Sequence, residues 1–177
     1  MFLLSQTPSV ADHFISELRH VDIQKDRMRF RRNIERMGEL LAYEISKTLA
    51  YRTHQVESPL GMADSRELLQ PIVLATILRA GLPFHQGFLN MFDNADNAFI
   101  GAYRGHNIDD DDFQVEMDYI SSPDLTGKTL IIVDSMIATG RSLEQVYHAL
   151  LRFGIPAQTH IATVIASPEG VDFIRTR

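Results

Sequence analysis

The chain reads Leu130-Ile131-Ile132-Val133-Asp134-Ser135-Met136-Ile137-Ala138-Thr139-Gly140-Arg141-Ser142 in its last third. The apolar run predicts a strand that ends at Val133, an acid follows at once, and a helix is predicted to begin near Ser142. The N-terminus of such a helix offers unpaired N–H groups and a positive dipole end, which together bind phosphate. The segment therefore predicts a phosphate loop between a strand and a helix.

The residues of this segment are suited to bind two parts of a ligand, a phosphate group and a sugar. Gly140 lets the backbone approach an anion closely, and Thr139 and Ser142 can donate hydroxyl hydrogen bonds to it. Asp134 is unsuited to phosphate, but its carboxylate can accept from two ribose hydroxyls. The alternative is a capped helix, with Ser142 as N-cap and Asp134 as a strand-end acid. That alternative explains single residues but not the ordered set, so we predict a sugar-phosphate site.

Two other phosphate-binding motifs do not fit the segment. A Walker A loop has Gly-Lys before its final Ser or Thr and another glycine five residues earlier. Here Arg141 precedes Ser142, and Ser135 stands where the earlier glycine belongs. The dinucleotide fingerprint Gly-x-Gly-x-x-Gly is absent as well. Neither an ATPase-type loop nor a dinucleotide site is therefore indicated.

Four apolar runs of strand length predict a sheet that is buried on both faces. They span residues 71–78, 98–103, 129–133 and 159–165. Helical stretches at 82–91 and 142–153 separate them, and the second is followed by Gly154 and Pro156, a typical helix stop. Strands alternating with helices indicate an α/β fold with a mainly parallel central sheet flanked by helices.

The amino-terminal part of the chain is predicted to be helical. Residues 9–18 favour a short helix and residues 24–50 a long one. The apolar stripe of the long helix consists of Ile34, Met37, Leu41, Ile45 and Leu49. Ser58-Pro59-Leu60-Gly61 is a turn signal. The polar, acidic residues 104–124 predict a protruding flap or hairpin that leaves the sheet, with one weak strand at 113–120.

Two arginines follow predicted strands. Arg79 precedes Ala80-Gly81, which lets backbone approach a ligand, and Arg104 follows Tyr103. Ligands of open α/β sheets bind at the carboxyl ends of the strands, and guanidinium groups bind phosphate oxygens bidentately. A lone arginine in such a place is more often part of a surface ion pair. Two of them beside a phosphate loop favour a pyrophosphate site.

The segment 134–142 resembles the motif by which type I phosphoribosyltransferases bind phosphoribosyl pyrophosphate (PRPP). Its form is that of uracil phosphoribosyltransferases, Asp-Pro-Met-Leu-Ala-Thr-Gly-Gly-Ser, with differences at Ser135, Ile137 and Arg141. Other stretches that resemble the family are Leu40-Leu41-Ala42-Tyr43-Glu44, Ser58-Pro59-Leu60-Gly61, Ile77-Leu78-Arg79-Ala80-Gly81-Leu82, Tyr103-Arg104 and Ala166-Ser167-Pro168-Glu169-Gly170. The last is similar to the family's Ala-Ala-Pro-Glu-Gly. The resemblance runs from about residue 12 to residue 174.

The resemblance implies a type I phosphoribosyltransferase fold and a set of site residues. Arg79 and Arg104 would bind pyrophosphate and Asp134 the ribose hydroxyls, and these three would be the catalytic residues. The implied PRPP-binding set is Arg79, Arg104, Asp134, Ser135, Met136, Ile137, Ala138, Thr139, Gly140, Arg141 and Ser142. The family's Gly-rich uracil hood is expected beyond Arg177. Residues 1–177 are therefore expected to form a single domain without uracil-binding residues, and to make little or no UMP by themselves.

The implied reaction transfers a phosphoribosyl group from PRPP to uracil and yields UMP and pyrophosphate, a step of pyrimidine salvage. Mg²⁺ would be bound with PRPP, through ribose and pyrophosphate oxygens, without a metal site of the protein. The resemblance also implies a homo-oligomer, dimeric or larger, and GTP as an effector. Two alternatives stay open: a non-catalytic regulator that binds PRPP or a nucleotide on the same fold, and a phosphoribosyltransferase for another base.

Composition limits the partners and the location. The 177 residues are 45% apolar and carry a net charge of −6, which argues against a nucleic-acid or membrane surface. There is no cysteine, no basic lead-in to a signal peptide and no run of the roughly 18 apolar residues that span a bilayer. These features predict a soluble cytoplasmic protein. Asp109–Asp112 is expected to be a solvated loop, and neither His85 nor His106 is expected to bind a metal.

Overall fold

The structure, a computed structural model, describes residues 1–104 and 115–176. Its elements are α1 (Val10–Arg19), α2 (Arg27–Ser46), β1 (Tyr51–Ser58), β2 (Gly61–Leu68), β3 (Ile72–Leu78), α3 (Leu82–Leu89), β4 (Asp96–Arg104), β5 (Val115–Ser121), β6 (Thr129–Ile137), α4 (Arg141–Leu150), β7 (Gln158–Ala166) and α5 (Pro168–Arg175). In this described part of the chain, no helix has the length and apolarity needed to cross a membrane. His106 and the Asp109–Asp112 loop lie outside the described residues.

A five-stranded sheet forms the centre of the fold, in the order β5-β4-β3-β6-β7. β4, β3, β6 and β7 are parallel neighbours, and β5 pairs antiparallel with β4 at one edge. The mainly parallel sheet is therefore as predicted. The expectation that the 104–124 region leaves the sheet is wrong for β5, because its backbone pairs with Phe99–Arg104 of β4 and makes it an edge strand.

The two faces of the sheet carry separate cores. Successive side chains of a strand point to opposite faces, so Leu74 and Val133 pack with Phe84 and Phe88 on the side of α1, α2 and α3. Val73, Ala75, Leu130 and Ile132 pack with Val146 and Leu150 of α4 on the other side. Burial on both faces explains why β3 and β6 appear in the sequence as continuous apolar runs.

The long helix is shorter than the predicted 24–50. Its N-cap is Asp26, whose carboxylate accepts hydrogen bonds from the N–H groups of Met28 and Arg29, both at 3.1 Å. α2 then crosses α3 at two glycines. A Cβ on Gly87 would lie 2.0 Å from Glu35 O, and one on Gly38 would lie 2.5 Å from Phe84 O. Larger residues at these positions would push the two helices apart.

A two-stranded hairpin between α2 and β3 was not predicted. β1 and β2 pair along their whole length, from Tyr51 opposite Leu68 to Ser58 opposite Gly61, and form a sheet of their own. The turn signal at residues 58–61 marks the hairpin's tip. Both strands are mostly exposed and polar, so they lack the apolar alternation that identifies a strand in a sequence.

The parallel strands present their carboxyl ends at one edge of the sheet. In the register, Thr76 of β3 lies opposite Val133 of β6, and Leu78 lies opposite Gly101 of β4. The connections β3–α3, β6–α4 and β7–α5 therefore emerge at this edge, where open α/β sheets bind their ligands.

Candidate active site

Asp134 lies within a strand and not in the loop that follows it. The sequence predicts that the strand ends at Val133, but β6 continues to Ile137 because β7 runs beside it and pairs with it. Asp134 lies opposite Thr163, and Ile137 opposite Ala166. The acid therefore has a backbone held by a neighbouring strand, which gives its side chain a defined direction.

The side chain of Asp134 is half-buried. Burial raises its pKa above the ordinary value, and hydrogen bonds from the backbone N–H groups of Met136 and Ser135 oppose this rise. A carboxylate in such surroundings gains more from hydrogen-bond donors than one in bulk water does. Ribose hydroxyls are donors of this kind, so the electrostatics of the position suit the predicted sugar contact.

The loop between β6 and α4 is only three residues long, Ala138 to Gly140. Gly140 is the N-cap of α4 and has φ +80°, in the left-handed region that favours glycine. No side chain caps the helix, and α4 begins at Arg141. The alternative of Ser142 as N-cap is therefore wrong. The N-terminus of a helix is a common binding position for an anion.

The exposed side chains of this loop fit the phosphate role predicted for it. Ala138, Thr139, Arg141 and Ser142 are exposed, as is Met136, whereas Ile137 and Gly140 are buried. Hydroxyl donors and an arginine thus surround the positive end of the α4 dipole. Side chains and a helix terminus of this kind are suited to binding a phosphate group.

The arginine loop after β3 turns sharply into α3. Arg79 and Ala80 are exposed, and Gly81 is buried. The peptide bond between Leu78 and Arg79 is cis. The N–H of Gly81 donates to Ile77 O at 3.2 Å, and the N–H of Leu82 donates to Arg79 O at 3.3 Å. These bonds hold the turn that carries Arg79. Because β3 and β6 are parallel neighbours, Arg79 and Asp134 lie at the same edge of the sheet.

Arg104 ends β4, the neighbour of β3 on its other side, and its backbone pairs with Val115 of β5. Its side chain lies outside the described residues. The backbone therefore brings the second predicted arginine to the ligand edge, while its contacts with a ligand stay a prediction.

Sequence reasoning missed one residue that contacts the phosphate loop. The backbone N–H of Ser167 donates to Ile137 O at 2.9 Å, and its hydroxyl donates to Ala138 O. The sequence held a signal for this position: Ser-Pro-Glu-Gly starts a helix directly after β7, at the same edge of the sheet.

A cleft of about 400 Å³ opens at the opposite edge, where β3 and β4 begin. Gln70, Ile72 and Phe92 are among its lining residues, and none of the predicted site residues belongs to it. Its position argues against a role in the chemistry, because α/β sheets bind ligands at the other edge. Across residues 1–104 and 115–176, no group of three or more His, Asp or Glu side chains is arranged to hold a metal ion.

Comparison with known proteins agrees with this geometry. The sequence model of the family described as uracil phosphoribosyltransferase matches residues 4–177. A uracil phosphoribosyltransferase of Porphyromonas gingivalis is 54% identical over 167 residues, which cover 94% of this chain and 77% of that protein. A uracil phosphoribosyltransferase of Methanothermobacter thermautotrophicus is 41% identical over 150 residues, covering 84% of this chain and 68% of that protein.

Solved structures support the fold. The AQ2163 protein from Aquifex aeolicus matches 96% of this chain and 79% of its own, with a TM-score of 0.83 at 28% identity. A purine phosphoribosyltransferase from Pyrococcus horikoshii matches 77% of this chain and 75% of its own, with a TM-score of 0.58 at 19% identity, which bears on the fold alone. The predicted phosphoribosyltransferase fold and family are both confirmed. The chain belongs to the uracil phosphoribosyltransferase family.

Proposed function

We propose that this chain transfers the phosphoribosyl group of PRPP to uracil, giving UMP and pyrophosphate in pyrimidine salvage. The observation that carries the proposal is the placement of Asp134, the Ala138–Gly140 loop and Arg79 at one sheet edge, in a chain of this family. We further propose that residues 1–177 form a single domain. The comparisons name uracil for the relatives, and the loop geometry explains how the sugar-phosphate part of the substrate would be bound.

The reaction breaks the bond between C1 of the ribose and the pyrophosphate oxygen and forms a bond from C1 to N1 of uracil, which loses its proton. The transition state resembles an oxocarbenium ion, so the protein needs no nucleophile. Its task is to orient the sugar and stabilise the departing anion. Asp134 would hold the ribose hydroxyls, the 138–142 loop the 5′-phosphate, and Arg79 the pyrophosphate.

The remaining assignments follow from the family motif. Ser135, Met136 and Ile137 would contribute through their place in the strand that leads into the loop, and Arg141 and Ser142 through the first turn of α4. Arg104 would bind pyrophosphate from the end of β4. An additional charge at Arg141, where the family motif has glycine, would strengthen the attraction for an anion.

Mg²⁺ would enter with PRPP. At the described strand ends, Asp134 would provide one of the several oxygen ligands that Mg²⁺ needs. Ribose and pyrophosphate oxygens would supply the remaining ligands. When bound, Mg²⁺ neutralises part of the charge on the leaving pyrophosphate.

A homo-oligomer, a dimer or larger, forms part of the proposal, and the β1–β2 hairpin supports it. The hairpin pairs with no other strand of the described structure, and an isolated hairpin is marginally stable in water. Leu60 at its tip and Met62 beside it are 100% and 66% exposed. Burial of these side chains against a second copy would stabilise the hairpin. The further proposals of GTP as an effector and of a cytoplasmic location rest on the resemblance to the family.

The experiment that tests the proposed function is an assay of UMP formation by the full-length protein with labelled uracil, PRPP and Mg²⁺. We expect UMP and pyrophosphate in equal amounts. Product with hypoxanthine, guanine or adenine but not with uracil would assign the chain to another base. Binding of PRPP without turnover of any base would assign it to the regulators of the same fold, and would contradict the proposal.

A further inference from the structure

The start of α5 lies directly against the phosphate loop. Ser167, its N-cap, donates from its backbone N–H to Ile137 O at 2.9 Å and from its hydroxyl to Ala138 O. The same hydroxyl oxygen accepts from the N–H of Gly170 at 2.9 Å. One residue therefore binds two consecutive carbonyl groups of the loop and caps the helix that supports it.

The packing behind these hydrogen bonds is close. A Cβ on Gly170 would lie 2.4 Å from Ala138 O, and one on Gly140 would lie 3.0 Å from the nearest side-chain atoms of Phe173 and Ile174. The loop thus has no space to move towards α5. Helix α5, which follows β7, therefore fixes the position of the loop.

The direction of the loop carbonyls determines the direction of its N–H groups. The C=O and N–H of a trans peptide unit point in opposite directions, and the peptide bonds of this loop are trans. Since Ile137 O and Ala138 O point at Ser167, the N–H groups of Ala138 and Thr139 point away from α5.

We infer that Ser167 is a positioning residue, which aims the N–H groups of Ala138 and Thr139 at the 5′-phosphate of the substrate. The inference rests on the proposed function, because it assigns a phosphate to this loop. Ser167 contacts no reacting atom and acts through the loop. The family motif Ala-Ala-Pro-Glu-Gly has alanine here, so the hydroxyl is a feature of this chain, and its loss should weaken binding without abolishing it.

The test is titration calorimetry of Ser167→Ala with ribose 5-phosphate and with inorganic pyrophosphate. The variant keeps the backbone bond to Ile137 and loses the bond to Ala138, so affinity for ribose 5-phosphate should fall about three- to tenfold, the usual worth of one hydrogen bond. Affinity for pyrophosphate should not change. Ser167→Thr keeps a hydroxyl at this position and should restore binding of ribose 5-phosphate.

Ser9→Ala is the matched control for the loss of a helix cap. Ser9 caps α1 through a bond from the N–H of Ala11 at 3.2 Å, and α1 packs beside α2 on one face of the sheet, away from the loop. Both alanine variants should lower the melting temperature by similar amounts. Ser9→Ala should leave both affinities unchanged.

Three results would overturn the inference. They are unchanged affinity of Ser167→Ala for ribose 5-phosphate, equal loss for both ligands, and the same loss in Ser9→Ala. These results are distinct from failure of the proposed function, which would appear as absent UMP synthesis by the full-length wild-type protein. A wild-type chain that does not bind ribose 5-phosphate would remove the phosphate site and this inference together.

Discussion

Gly81 lies directly against Thr76, so that a Cβ on Gly81 would come 2.2 Å from Thr76 Oγ1 and 2.8 Å from Ile77 O. Thr76 is buried, and within the described residues its hydroxyl oxygen has no hydrogen-bond partner. The loop that carries Arg79 therefore fits closely on the end of β3. Only glycine fits where the arginine loop approaches β3 this closely, so the position of Arg79 depends on Gly81.

Replacement of Gly81 by alanine should displace the arginine loop. Overpacking of this kind costs about 1–3 kcal/mol of stability, and a misplaced Arg79 should lower the affinity for pyrophosphate about tenfold or more. Calorimetry with pyrophosphate and thermal unfolding measure the two effects. Gly101→Ala in β4 gives a milder case of overpacking for comparison, because its Cβ would come 3.3 Å from Tyr119 Cβ, a tight contact without overlap, and its effects should be smaller. Equal affinities of Gly81→Ala and wild type for pyrophosphate would contradict this account of the loop.

Arg79→Ala separates a ligand contact from a surface charge. If Arg79 binds pyrophosphate, its charge-assisted hydrogen bonds are worth about 1.5–3 kcal/mol, a loss of roughly ten- to hundredfold in affinity for PRPP and pyrophosphate. Ribose 5-phosphate lacks that group and should bind as before. Arg27→Ala, an exposed arginine of α2, should change none of the three affinities. A similar loss for ribose 5-phosphate in Arg79→Ala would mean that Arg79 supports the fold.

Asp134→Asn should make the protein more stable at neutral pH. Burial raises the pKa of Asp134 above 3.8, so the native carboxyl binds its proton more tightly than the unfolded chain does. Below pH 3.8 the group is protonated in both states and has no effect. As the pH rises through the raised pKa, wild type loses about 1.4 kcal/mol for each unit of the shift, and the asparagine variant does not.

Melting temperatures between about pH 4 and pH 8 measure this difference. The gain of Asp134→Asn over wild type should grow with pH and then level off. The exposed Asp93 provides a control, since Asp93→Asn should show no such gain. A variant at Asp134 that is less stable than wild type at neutral pH would show that the native carboxylate is stabilised by partners and not held for a ligand.

The exposed apolar residues of the hairpin should hold two copies together. Met62→Asp places a charge where the proposed interface buries an apolar side chain, at a cost of several kcal/mol, and should shift the protein towards the monomer. Sedimentation velocity measures the change. Met28, an exposed methionine of α2 outside the hairpin, gives the matched control in Met28→Asp, which should leave the assembly unchanged. A wild-type protein that sediments as a monomer would refute the proposed interface.

The sequence allowed prediction of the sheet because its strands are apolar on both faces and separated by clear helix signals. The site positions followed from the same pattern, since Arg79 and Asp134 come at or near the ends of buried strands. The sequence pattern predicted that the strand ends before Asp134, because polar residues after an apolar run are typical of a loop. The strand is extended by the pairing of Asp134 with Thr163 of β7, a residue that lies 29 positions further along the chain.

Two other features depend on contacts that a local pattern does not contain. The β1–β2 hairpin is stabilised by pairing of polar strands, such as Thr53 with Arg66, and has no apolar periodicity. The hydrogen bond from Ser167 to Ala138 joins residues 29 positions apart. In the sequence Ser167 has the pattern of an ordinary helix cap, which it also is.

The most direct measurement is a calorimetric titration of PRPP with Mg²⁺ into the wild-type chain and into Asp134→Asn. The account predicts one PRPP site per chain in wild type. Loss of one of the carboxylate's bonds to the ribose hydroxyls should weaken binding at least about tenfold in the variant, while the variant stays folded. No binding by the folded wild-type chain, or equal binding by both proteins, would contradict the claim that this sheet edge is a PRPP site.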